Sequence, residues 1–174
     1  MAVELVKSGV ITNADATPVV LNNPSVANAL LHEGVGTVEL SATASIASIA
    51  RLVRVPSNAR ISRVLLSCDA LTSATTDIGV YKAMGANGVA GAVVDVDFFA
   101  SAQPISSALV NSDVTHEADA ADAGAGYGLA DAAKPLWQAL GLSADPGIYY
   151  DIACTLTAAA TGAGTVGLKV QYTV

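Results

Sequence analysis

The chain of 174 residues is 52% hydrophobic, only 13% charged, and carries a net charge of −7. An acidic chain lacks the basic face that phosphate binding needs, so nucleic acid is not an expected partner. No apolar run approaches the roughly 20 residues of a membrane-spanning helix, so no membrane partner is expected. Two cysteines, Cys68 and Cys154, are too few for a disulfide framework and read as buried free thiols.

The start, MAVELVKSGVITNADA, lacks the charged head and long apolar middle of a signal peptide, so use without Sec export is expected. Residues 1–35 read as an extended N-terminal arm. Val3, Leu5, Val10 and Ile11 give weak strand character, and Asn13, Asn22, Asn23 and Pro24 break it with turn chemistry. Ser25 caps a possible helical turn through Leu31. Gly34 and Gly36 read as a hinge before the first regular strand.

From Thr37 the pattern becomes that of strands, and residues 36–174 read as one β-sandwich domain. Val38, Leu40 and Ala42 alternate with Thr37, Glu39 and Ser41. Strands follow at Ile49 to Val55, Ala59 to Leu71 and Asp77 to Lys82. The third of these four is apolar on both faces, as a central strand would be. Gly85, Asn87, Gly88 and Gly91 mark a loop, and Val94, Val96 and Phe98 alternate with Asp95 and Asp97. Residues 101–128, rich in Ala, Ser, Asp and Gly, read as one long loop. Lys134 to Gly141 is the one good helix signal, with Pro135 at its start and Gly141 just past its end. Leu136, Trp137 and Leu140 then fall on one side to cover an open end. Asp145-Pro146-Gly147 is a turn. Ile148 to Leu156 and Val166 to Val174 are the cleanest alternating stretches, joined by the hairpin loop AAATGAGT. Seven or eight strands, one short helix and no internal repeat predict an all-β fold, a β-sandwich of jelly-roll type.

No catalytic constellation stands out. His32 and His116 are the only histidines, and neither has companions that would make a zinc site of three or four ligands. There is no G-x-S-x-G, and the glycines of Gly124-Ala-Gly126-Tyr-Gly128 do not follow a strand and open a helix. Asp95, Asp97, Asp113, Glu117, Asp119 and Asp122 form an acidic stretch without the spacing of a calcium loop, which reads as a solvated or partner-facing surface. Repulsion should keep the Asp95 and Asp97 face wet. Arg51, Arg54, Arg60 and Arg63 are half of the eight basic residues, within thirteen positions. They read either as local ion pairs or as a contact patch complementary to an acidic face on another subunit. These four arginines with Asp95 and Asp97 are the candidate contact residues toward other subunits or a larger assembly. No cofactor or metal is expected.

Val55-Pro-Ser-Asn-Ala-Arg-Ile-Ser-Arg-Val-Leu-Leu66, Asp77 to Lys82, Asp95 to Ser101 and Pro135 to Pro146 resemble segments of small tailed-bacteriophage virion proteins, similar in size and composition to head decoration (cement) proteins. The likeness spans roughly residues 36–174. It implies a non-enzymatic structural protein, made in the bacterial cytoplasm and bound in many copies to the outer capsid surface. The major capsid protein would be its partner and a homotrimer its form. A carbohydrate- or receptor-binding module of a virion fibre or tail is the alternative, resting on Tyr127, Tyr149 and Trp137 as the available aromatics. A hydrolase or cupin-like enzyme would need converging histidines that the chain does not supply.

Overall fold

The computed structural model describes residues 6–27, 29–83, 91–118 and 126–174. The expected strand character at Val3 and Leu5, the loop glycines Gly85 and Gly88, and Asp119, Asp122 and Gly124 lie outside them. Eight strands form: β1 (His32–Leu40), β2 (Ile49–Pro56), β3 (Arg60–Cys68), β4 (Thr75–Lys82), β5 (Val93–Pro104), β6 (Leu109–Asp113), β7 (Tyr149–Ala158) and β8 (Gly164–Thr173). They make two antiparallel four-stranded sheets, ordered β1-β8-β3-β6 and β2-β7-β4-β5. The pairs β1·β8, β2·β7, β3·β6 and β4·β5 alternate between the sheets, as when one long hairpin is rolled up. The all-β sandwich expected from the alternating patterns is what forms.

The core lies between the sheets. Val55, Ile61, Val64, Leu66, Ile78, Val80, Ile152, Leu168 and Val170 are essentially inaccessible to solvent. They come from β2, β3, β4, β7 and β8, mostly in period-2 alternation, so the inward faces of these strands are withdrawn from water together. Phe98, Phe99 and Tyr127 pack edge-on and tilted with centroids 5.1–5.7 Å apart, which concentrates aromatic burial at one place in a core otherwise built of Val, Ile and Leu.

A short helix, α2 (Leu136–Ala139), closes one end. Pro135 sits at its N-cap, and Gly141 follows at φ +76°, where a side chain would strain. The amides of Leu136 and Trp137 donate to the Ala59 and Ser57 carbonyls, pinning the helix over the β2–β3 turn. Leu136 is fully buried, while Trp137 is half-buried.

Four expectations differ from the fold. Residues 101–128 are not one loop: β5 runs to Pro104 and β6 follows. Their alternation is hidden because register slips interrupt both pairings, and Ala102 and Asn111 take positive φ. Gly34 and Gly36 are not a hinge. They lie inside β1, where a Cβ on Gly36 would collide with the Leu52 carbonyl, so the absent side chains let edge strands β1 and β2 close one side of the sandwich. Val10 and Ile11 are not strand residues. They belong to α1 (Gly9–Ala14), capped by Ser8, and the helical turn expected from Ser25 is instead a turn at residues 24–26, where the Asn23 side chain accepts from the Ser25 amide.

Candidate interaction surfaces

The four arginines that cluster in sequence are divided by the fold. Arg51 and Arg54 lie on β2 of one sheet, Arg60 and Arg63 on β3 of the other. Register places Arg54 opposite Asp151 of β7. Arg54 grips that carboxylate with Nε at 2.7 Å from Oδ1 and Nη2 at 3.1 Å from Oδ2, and Arg51 Nη1 adds a contact at 3.2 Å. Arg51 also donates to the Lys82 and Gly91 carbonyls and lies over the Tyr81 ring, 5.0 Å from its centroid. Burial pushes the Asp151 carboxyl up, but the hydrogen bonds and charges of Arg54 and Arg51 outweigh it and hold it below the usual carboxylate range. Asp151 is 6% exposed and Arg51 17%, whereas Arg54 is 51% exposed. The arrangement is a folded-in clamp with a single cationic edge, Arg54, facing water.

This clamp explains why β7 is buried on both faces although its alternation predicts one wet face. Arg51, Ala153 and Gly79 stand opposite one another across β2, β7 and β4. Above Gly79 the bulged segment of β5 folds over, its Asp95 and Val96 carbonyls where a Cβ would be. Tyr81 and Thr155 share a hydroxyl hydrogen bond at 2.5 Å beside it.

Arg63 pairs with Asp113 at 3.1 Å, both about half exposed, a contact worth little in water. Arg60 reaches backwards in sequence, its Nε donating to Ser25 Oγ at 2.8 Å and its Nη1 to the Ala133 carbonyl. Thr173 Oγ1 donates to the Ser25 carbonyl at 2.9 Å. Ser25 is thereby the point at which the N-terminal segment is fastened to the sandwich.

Asp95 and Asp97 do share a region of β5, but both are half-buried in the bulge. Desolvation raises the Asp95 carboxyl, with Asp97 beside it adding to the effect, and desolvation likewise raises Asp77. Glu117 instead accepts the Ser101 amide at 2.7 Å. Among the described residues no group of three or more His, Cys, Asp or Glu is placed to hold a metal ion. His116 stacks on Tyr127 at 5.3 Å, with Nδ1 2.8 Å from the Tyr127 carbonyl, while His32 stacks on Tyr172. Tyr127 is fully buried and donates to the Ile61 carbonyl, so it offers no face to a sugar. Tyr149 is exposed. Both thiols are free and buried, and burial pushes the Cys154 thiol up to about 12.

The surface that reasoning from strands missed is apolar and lies before β1. None of the described residues from 6 to 31 is buried. Of the nineteen exposed large apolar side chains among the described residues, eight fall in this short stretch, among them Leu21 at 91%, Leu30 at 76% and Val19 at 65%. The segment is not extended: Asn13 Nδ2 donates to Asn22 Oδ1, Asn22 Nδ2 to the Val10 carbonyl and the Val20 amide to the Asn13 carbonyl, folding it into a hook. Ala14, Val19, Val20, Leu21, Pro24 and Ala27 line a shallow groove of about 390 Å³ in that hook.

No protein-family model matches the chain, and no curated protein matches its sequence. Among solved structures, a chain of the "Cyanophage Pam1 capsid asymmetric unit" is similar in fold, with a TM-score of 0.54 and 19% identity. The likeness covers 92% of this chain and 96% of that one, so it takes in nearly all of both.

Proposed function

We propose that this chain is a non-enzymatic structural protein of a tailed-phage virion, bound in many copies to the outer surface of the head and stabilising it. The observation that carries the reading is the near end-to-end likeness in fold to a chain of a phage capsid asymmetric unit. The rolled pairing of the eight strands supports it, since such winding suits a jelly roll, a fold used by viral capsid domains. The chemistry is consistent with it too. Among the described residues every buried side-chain polar atom has a hydrogen-bond partner, as in a core built for stability. The major capsid protein is the proposed partner and a trimer the proposed form, with Arg54 and the segment before β1 as contact regions. Apolar burial at each contact, on the order of 25 cal/mol per Å² before association costs, multiplies over many copies.

The test is to mix purified protein with capsids of the phage that encodes it and image them by electron cryomicroscopy. Density for this sandwich at regular outer-surface positions is expected. Capsids that bind none of it, or carry it only inside, would contradict the reading.

A further inference from the structure

We infer that the hook before β1 is a self-association element, and that Leu21 of one copy seats in the groove lined by Ala14, Val19 and Pro24 of a second copy of this chain. The inference rests on the capsid reading only for its biological setting, because its evidence is the hook itself.

Three observations carry it. The first is area. The eight exposed apolar side chains of residues 6–31 together supply on the order of 800 Å², about what one partner gives to a standard-size interface. The second is charge. The chain carries −7 overall, yet within residues 6–31 the only charged side chains are Lys7 and Asp15, which pair at 2.7 Å. Two copies of an acidic molecule repel wherever their charged faces meet, and the hook is the place where they can approach without that penalty. A partner selected by this molecule's charge would be basic and would meet the sandwich instead. The third is shape. Leu21, 91% exposed, forms part of the wall of the hook's own groove and projects from it. A surface with both halves of a complementary fit can bind its own kind head to tail. The Ser25 hydrogen bonds to Arg60 and Thr173 fix the hook's base, which limits the entropy lost when its tip is captured.

The experiment uses the full chain and three proteins: wild type, Leu21→Asp, and Val110→Asp as a control at an 83% exposed apolar position on β6. Sedimentation gives the association constant and dilute thermal unfolding reports the fold. Wild type and Val110→Asp should associate alike, and Leu21→Asp should associate at least tenfold more weakly with an unchanged melting temperature. The inference is overturned if wild type stays monomeric up to roughly 100 μM, a generous limit for a specific contact. It is equally overturned if Leu21→Asp associates like wild type, if Val110→Asp weakens association as much, or if Leu21→Asp unfolds the dilute monomer. Capsid binding of the same proteins separates the two readings: a monomer that still binds capsids loses only this inference, and an oligomer that ignores them loses only the capsid role.

Discussion

The sandwich and the hook before β1 solve opposite problems with nearly the same residues. In the sandwich, Val, Ile and Leu fall in phase with the strand period and vanish from solvent, and even the buried carboxylate of Asp151 is held by two arginines. In the hook the same residue types have no phase to share. Asn13, Asn22 and Asn23 spend their side chains on backbone and on one another, and the apolar groups stay in water. Apolar content alone therefore does not make a core; periodic placement does. Apolar content without period, held on a folded support, makes a contact surface.

The contrast is open to being broken by substitution. The largest difference should come from Phe99→Ala set against Leu21→Ala. Phe99 is fully buried among Phe98 and Tyr127, so its loss should cost about 3–5 kcal/mol, whereas dilute Leu21→Ala should stay within about 0.5 kcal/mol of wild type. Urea unfolding measures both. Asp151→Ala comes next, at about 3 kcal/mol, because it leaves the largely buried Arg51 guanidinium without its carboxylate. Its pH dependence has a definite sign. The folded-state pKa of Asp151 is depressed, so its contribution is fully present above the ordinary carboxylate range and fades as pH falls through the depressed value. Melting curves of wild type and Asp151→Ala should therefore converge on acidification below about pH 4.

Gly36→Ala should follow, at about 1–3 kcal/mol, since the new methyl must push Leu52 and part the two edge strands. Smallest is Asp95→Asn. Desolvation and Asp97 raise the Asp95 carboxyl, so keeping it ionised at neutral pH opposes folding. Its replacement should raise the melting temperature by about 1–2 °C, a gain that shrinks as pH falls through the raised folded value towards the ordinary one. A loss of stability at neutral pH would show that the bulge needs the charge.

Much of the fold was legible because β7, β8 and the Pro135–Gly141 helix signal obey local rules. The two-sheet sandwich followed from counting such stretches. What was hidden depends on distant partners. Gly36 is a strand residue only because Leu52 lies against it, and without that knowledge a glycine pair reads as a hinge. The end of β5 and all of β6 were lost because bulges and register slips spoil the period there. The arginine cluster was visible, but its division between the sheets was not, because the turn at Pro56 sends β3 into the other layer. Asp151 could have been suspected as a lone carboxylate within the apolar run Tyr149 to Leu156, yet nothing local names arginines about a hundred positions earlier as its partners.

The sandwich is stable in itself, while the hook is completed by a second copy on the self-association inferred above. Hydrogen exchange on the full chain at low and high protein concentration tests it most directly. Amides of β3, β4 and β7 should be strongly protected at both concentrations, and those of residues 6–27 should exchange quickly when dilute and slow down when concentrated. Protection of residues 6–27 that equals the core at every concentration, or that never rises, would contradict the account.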